Sequence, residues 1–239
     1  MYFSGVMNCC STRGCDEFFT DRVARRDARR YRRRGLDDNA QRLVDFVRRE
    51  GIGNKTVLEV GGGVGAIQLE LLRAGAADAT NAELSAAYES HAAELADEAG
   101  LTGRTERRLL DFAEQGDEIE DADVVVLHKV VCCYPDYEAL VGAASAHTRQ
   151  QLALTFPRDA AWTRVGLAAA NLIQRLRRRS FRVYLHPPAA IIAVAQSHGL
   201  EPASRHRGLV WEFAGLTRSA QPAATYARAG TSAARADDQ

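Results

Sequence analysis

Residues 55–72, "KTVLEVGGGVGAIQLELL", run a short β-branched segment into a glycine cluster and out again into an amphipathic one. The pattern predicts a buried strand over "TVLEV", a glycine-rich turn, and a helix from Gly65 to about Ala74 with Ile67, Leu71 and Leu72 facing inward. Upstream, a helix fits from Asp38, an N-cap candidate, to Glu50, with Leu43, Val44 and Val47 on one face and Gly51 as its stop. Downstream, "DATNAEL" reads as a second strand, "SAAYESHAAELADEAG" as a helix capped by Ser85, "RTERRLLDF" as a weaker strand and "ADVVVLHKV" as a strong one. Pro135 and Asp136 open a helix through about Thr148, and "QQLALTF" is a fifth strand ended by Pro157. Strands and helices alternating at this spacing predict right-handed crossovers, hence an α/β fold with a parallel sheet.

Beyond residue 157 the alternation breaks. A long amphipathic segment, "AAWTRVGLAAANLIQRLRRR", is followed by "SFRVYLHPP"; then "PAAIIAVAQSHGL" restores a helix and "LVWEFAGLT" supplies a last strand. Four regions follow: a Cys- and Arg-rich N-terminal lid segment at 1–36, a main domain at 37–218 with an acceptor-side insertion at 158–187, and a disordered tail at 219–239.

The 239-residue chain is 46% hydrophobic and 26% charged, the composition of an ordinary globular protein. Its formal net charge is zero, so no global field drives it onto nucleic acid or membrane. Nearly all its cations are Arg, with Lys55 and Lys129 the exceptions. No run of about 18 apolar residues argues for a membrane span. The N-terminus shows no signal-peptide pattern, and five cysteines, an odd number, argue against a disulfide framework; a cytoplasmic location is expected.

In a parallel sheet, ligands sit outside the carboxyl ends of the strands. Gly61, Gly63 and Gly65 allow a ligand close to the backbone, and the next helix N-terminus offers N–H donors. "GGGVGA" also satisfies the G-x-G-x-x-A of dinucleotide oxidoreductases, and Glu83 could hold ribose hydroxyls in either case. Two features favour a different cofactor. Glu59 puts a carboxylate at the loop entrance, where an amino group or ordered water suits it better than pyrophosphate. Asp111 and Phe112 supply an acceptor and a ring where an adenine would lie. Together these residues resemble class I S-adenosylmethionine-dependent methyltransferases. That resemblance implies a Rossmann-like, mostly parallel seven-stranded sheet with helices on both faces, a helical lid insertion after strand 5, and S-adenosylmethionine as cofactor. The loop then cradles the methionine part, Glu83 binds ribose and the Asp111 turn contacts adenine; Leu84 and His128 complete the candidate cofactor contacts.

The turn after the fourth strand, "LHKVVCCYPD", lacks the Asn/Asp-Pro-Pro-aromatic motif of amino-methylating nucleic-acid enzymes and the Pro-Cys of cytosine methylation. A nucleic-acid partner is therefore disfavoured, and a small-molecule acceptor expected. "FFTDRVARRDARRYRRRGLDDNAQRLVDFV", "VLEVGGGVG", "VVCCYPD", "TFPRD" and "FRVYLHPP" are similar to proteins grouped with magnesium-protoporphyrin IX O-methyltransferase, from about Phe18 to Pro188. The resemblance implies O-methylation of a porphyrin propionate and places the family's N-terminal tyrosine at Tyr31. Photosynthetic members carry a His before the Tyr-Pro pair, where this chain has Cys133.

A carboxylate acceptor needs no general base; a phenol or alcohol would want one, and His128 and His186 are the candidates. Either His could equally be a structural hydrogen-bonding residue. Arg22 to Arg34 contribute eight arginines, and Arg175, Arg177, Arg178, Arg179 and Arg182 form a second cluster. Both read either as solvated helix faces or as lids that close together on a polycarboxylate. The candidate acceptor contacts are Arg29, Arg30, Cys133, Tyr134, Arg158 and Trp162. "CCSTRGC" holds Cys9, Cys10 and Cys15 without the paired spacing of zinc sites, so no metal is expected. The alternatives are methylation of another metabolite or of RNA, or a non-catalytic S-adenosylmethionine-binding or metal-sensing module. The oligomeric state is open.

Overall fold

In the computed structural model, which describes residues 14–219, one seven-stranded sheet runs in the order β3-β2-β1-β4-β5-β7-β6. The strands are β1 (Val57–Val60), β2 (Ala79–Glu83), β3 (Thr105–Leu109), β4 (Ala122–His128), β5 (Thr148–Pro157), β6 (Leu200–Arg207) and β7 (Trp211–Arg218). Strands β1 to β5 pair in parallel, while β7 is antiparallel to both β5 and β6. The sequence reading named six of the seven. It missed β6 because only Leu200 of that edge strand is buried, so "LEPASRHR" carries no apolar alternation.

The described residues hold nine α-helices, the sixth a single turn at Phe112–Gln115: α1 (Cys15–Phe18), α2 (Asp21–Arg34), α3 (Asp38–Arg49), α4 (Ala66–Arg73), α5 (Glu89–Glu98), α6 (Phe112–Gln115), α7 (Tyr137–Ala146), α8 (Ala161–Leu176) and α9 (Pro188–Ser197). Alternate residues of the central strands feed two cores. Val57, Val124 and Val126 pack beneath α2 to α5, whereas Leu58, Val125 and Leu127 pack beneath α7 and α9. All four residues from Val124 to Leu127 are fully buried, which is why "VVVL" reads as a strong strand.

Several boundaries shift for local reasons. Asp37, not Asp38, caps α3: its Oδ1 accepts N–H bonds from Asn39 at 3.1 Å and Ala40 at 3.0 Å. Ser85 caps a 3-10 turn at Ala86–Tyr88, and α5 starts only at Glu89. α8 stops at Leu176, followed by Arg178 at φ 56°. The arginine run folds as α2, whose Ala24 and Ala28 lie one turn apart and are fully buried, leaving the arginines outside. The tail reading beyond Ser219, and the thiols Cys9 and Cys10, lie outside the described residues.

The N-terminal segment and the insertion meet, but through aromatic rings rather than arginines. Phe18 stacks on Phe181 at 4.5 Å, Phe19 meets the same ring edge-on at 5.5 Å, and Glu17 accepts the Ser180 N–H at 2.8 Å. Arg32 instead reaches Glu94 and Glu98 on α5, and Arg30 reaches Asp37.

Helix α3 is held to β5 and β7 by Phe46, which is buried and meets Phe213 edge-on at 5.7 Å. Phe46→Ala is expected to lower unfolding free energy by about 3–5 kcal/mol, read by urea denaturation. A loss below about 1 kcal/mol would mean that α3 is not part of the core.

Candidate functional site

Strands β1 and β4 are neighbours although β2 and β3 intervene in sequence, so the sheet reverses its order between them. The turns after these strands diverge on opposite faces and leave a cavity of about 330 Å³, at the lower end of the range for small-molecule sites. The glycine loop forms its floor. Gly61 has φ 64°, and a Cβ there would stand 2.7 Å from Val130 Cγ2 of the other turn; at Gly62 a Cβ would stand 2.5 Å from Glu59 Cδ. No side chain fits at either position.

Five acids line the cavity, and three of them, Glu59, Glu83 and Asp111, stand at or after the strand ends on one side. Glu59 is buried beneath the loop and accepts the Gln68 N–H at 3.1 Å, the first turn of α4 being drawn onto it. Burial pushes its carboxyl up to about 8, with Glu83 adding to the rise and the Gln68 N–H and Arg107 opposing it. Glu83, at the end of β2, accepts N–H bonds from Gly63 at 2.8 Å, Leu84 at 2.9 Å and Ser85 at 3.0 Å; burial still raises it above the usual carboxylate value. Asp111 caps α6 through the Ala113 N–H at 3.1 Å and accepts the Tyr134 hydroxyl at 2.9 Å, so the β3 and β4 turns are tied across the cavity. Leu84, Phe112 and Tyr134 complete this wall, with Gly63 lying under the Tyr88 ring. Gly65 is the N-cap of α4, at φ 73°, and is not in the lining.

The opposite wall is charged. Asp37 receives Lys129 Nζ and, at 3.3 Å, Arg30 Nη2, and it faces His128 Nε2 at 3.8 Å. Burial works against ionisation of Asp37, but His128, Lys129 and the Ala40 N–H outweigh it and hold the carboxyl well below the usual range. Burial lowers His128, with Lys129 acting in the same direction and Asp37 opposing, so the imidazole is kept neutral. Its Nδ1 sits 2.9 Å from Thr155 Oγ1 on β5. Lys129 has φ 60°, a costly conformation for a residue with a side chain, and its N–H is held by Thr155 while its ammonium lies 5.3 Å from the Trp211 ring.

The structure brings most of the expected residues to one cavity and leaves some elsewhere. Glu59, Gly61, Gly63, Glu83, Leu84, Asp111, Phe112, His128, Arg30, Tyr31, Cys133 and Tyr134 all line it. Tyr31 contributes its ring, but its hydroxyl donates to Glu70 at 2.7 Å and accepts from Arg73 at 2.8 Å. Burial and Glu70 push that phenol upward, so it serves as no base. His186 lies outside the lining: its Nε2 is 2.9 Å from the Tyr134 carbonyl, and its ring packs against Tyr137 and Tyr184. Arg158 and Trp162 also lie outside, because β5 runs past His128 and its end bonds the β6–β7 turn. Arg158 Nη1 donates to Gly208 O at 3.2 Å and Trp162 Nε1 to Leu209 O at 3.0 Å. Arg29 is exposed on α2 and absent from the lining. The free thiols of Cys133 and Cys132 share a hydrogen bond, Sγ to Sγ 3.9 Å; that hydrogen bond and burial push the Cys133 thiol well above the ordinary cysteine value, which disfavours a nucleophilic thiolate. Sequence reasoning missed Asp37, Lys129, Asp27 and Tyr88. Of these, only Lys129, which is one of the chain's two lysines and directly follows the fourth strand, carried a signal.

A methyltransferase-domain family model matches residues 28–209, three quarters of the chain. The chain belongs to this methyltransferase-domain family. It is a methyl-transferring enzyme. No curated protein matches it in sequence. Among solved structures, it is similar to the magnesium protoporphyrin IX methyltransferase of Synechocystis with bound SAM, at 18% identity and TM-score 0.63 over 91% of this chain and all of that one. It is also similar to an O-methyltransferase family protein of Burkholderia thailandensis, at 19% identity and TM-score 0.65 over 88% of this chain and 63% of that one. A third is the N-methyltransferase NodS of Bradyrhizobium japonicum with S-adenosyl-L-homocysteine, at 16% identity and TM-score 0.58 over 77% and 91%. At these identities the likeness establishes the class I methyltransferase fold.

A carboxyl raised on folding favours the folded state at low pH. The Glu59 contribution is therefore full below about 4.5 and lost as pH rises through about 8. Over that window, unfolding free energy should fall more steeply in this methyltransferase than in its Glu59→Gln variant; parallel denaturation curves would contradict the assignment.

Proposed function

We propose that this methyltransferase transfers a methyl group to an oxygen of a small anionic acceptor, with a porphyrin propionate as the most specific candidate. The observation that carries this is the Asp37 wall. Two cations, Arg30 and Lys129, share one carboxylate and leave one formal positive charge on that wall, facing the acids Glu59, Glu83 and Asp111 across the cavity. The sequence likeness around "VVCCYPD" and the structural likeness to the Synechocystis enzyme support the same reading.

The cofactor is S-adenosylmethionine, and when bound it supplies an electrophilic methyl on a sulfonium. The residues present fit it. The loop at Gly61 and Gly62 excludes side chains, and Glu83 and Asp111 offer acceptors on one side of the cavity. Asn81 Nδ2 lies buried beneath the loop with no partner among the described residues. Glu59 is placed to balance a cationic amino group, and Glu83 and Asp111 to accept from hydroxyl and amino donors. Because burial raises the Glu59 carboxyl to about 8, pairing with a cation would displace its proton near neutrality. Calorimetry at pH 7 in two buffers of different ionisation enthalpy should detect that release, and Glu59→Gln should abolish it.

For a carboxylate acceptor, Arg30 and Lys129 orient the anion and the apolar lining keeps water out. Orientation alone can supply roughly 7–11 kcal/mol. No proton has to move. A hydroxyl acceptor is the second reading, favoured by the neutral His128, whose Nδ1 is held by Thr155 and whose protonated form Asp37 would stabilise. The pH profile separates them: turnover of a carboxylate stays level as His128 is protonated, whereas turnover of a hydroxyl falls.

Turnover to S-adenosylhomocysteine with propionate-bearing tetrapyrroles, other aromatic carboxylates and phenols tests the proposal, and no turnover with any carboxylate would sink it. With an acceptor in hand, Arg30→Gln should raise its KM about tenfold, equivalent to about 1.4 kcal/mol, and leave cofactor affinity unchanged. Arg29→Gln, on the exposed side of α2, should change neither.

A further inference from the structure

Helix α8 is built inside out. Its two buried residues are polar, Thr163 and Gln174, and Thr163 Oγ1 and Gln174 Oε1 find no partner among the described residues. Five of its six large apolar residues point to solvent, Leu167 alone being half-buried: Trp162 is 52% exposed, Val165 69%, Leu172 56%, Ile173 48% and Leu176 74%. Spacings of three, seven and four residues place Trp162, Val165, Leu172 and Leu176 on one stripe, which runs the length of a helix about 24 Å long. The β6–β7 turn extends the stripe at the Trp162 end, where Leu209 is 73% exposed and takes the indole N–H on its carbonyl. At the other end stand Arg175, Arg177, Arg178 and Arg179, with no carboxylate partner among the described residues. Contiguous apolar surface of this kind marks an interface rather than ordinary surface composition.

We propose that this face of α8 docks on a membrane surface, its stripe entering the lipid interface and its arginines resting on anionic headgroups. The charge pattern selects this occupant. α8 contains no Asp or Glu, so a parallel twofold contact with a second copy would bring the arginines together, and an antiparallel one would set them against the Trp162 end, where Asp159 is already paired with Arg164. A nucleic acid would pair the arginines but leave five large apolar side chains against phosphate and water. Anionic lipid supplies both halves: hydrocarbon for Trp162, Val165, Leu172, Ile173 and Leu176, and phosphate for the cluster. The docking is peripheral, since no helix among the described residues is long and apolar enough to cross a membrane. It rests on α8, the arginines that follow it and the β6–β7 turn, and stands whichever acceptor the cavity takes.

Flotation of the full chain with vesicles tests this. Binding is expected to vesicles of equal phosphatidylcholine and phosphatidylglycerol, about tenfold weaker binding to phosphatidylcholine alone, and a similar loss in molar salt. A double variant, Leu172→Glu with Leu176→Glu, should lose flotation yet bind S-adenosylhomocysteine as the parent does, which shows that it is folded. Arg177→Gln with Arg179→Gln should lose only the preference for anionic vesicles. Three results would overturn the proposal: no flotation, equal binding to both vesicle types, or a lipid-free dimer in sedimentation that Leu172→Glu dissociates.

Discussion

Gly61 and Val130 come together at the reversal of strand order, and the site depends on that close approach. The two turns leave adjacent parallel strands, and any side chain at Gly61 would collide with Val130. With the loop pressed against the β4 turn, Glu59 is sealed beneath it and the first turn of α4 is drawn onto the Glu59 carboxylate. The floor of the cavity is thus set by backbone packing before any ligand is considered.

The roof depends on a second point, Asp37. One carboxylate caps α3 through Oδ1, binds Lys129 and Arg30 through Oδ2, and faces His128. It connects the N-terminal helices to the end of β4, where Thr155 takes the N–H of Lys129, a residue in a backbone conformation that most residues avoid. The same interaction therefore closes the cavity and sets the charge of that wall, while burial and Lys129 keep His128 neutral against the pull of Asp37.

The glycine-loop side of this cavity was legible in the sequence because its residues sit near strand ends, where position along the chain fixes position in space. Glu59, Glu83 and Asp111 each follow or end a recognisable strand, and each lines the cavity. The acceptor side was not legible in that way. Arg158 and Trp162 follow β5 directly, yet they turn to the β6–β7 turn, because β7 pairs antiparallel with β5 and brings Gly208 and Leu209 to them. His186 and Tyr31 carry the right functional groups, but both are tied to neighbours that no spacing rule reveals. Edge strand β6 escaped for a simpler reason: an edge faces water on most sides and needs no apolar pattern.

The sequence by itself determined an α/β methyltransferase architecture and the glycine loop and strand-end acids that meet in its cavity, since periodicity, glycine spacing and strand-end acids are local properties. Only the tertiary structure decided what meets that cavity from elsewhere in the chain. Asp37 lies 92 residues before Lys129, and the pairing of the two charges is a consequence of packing α3 over the sheet. The inverted face of α8 likewise required the fold. An amphipathic pattern states that a helix has two faces, and only its neighbours determine which one is buried.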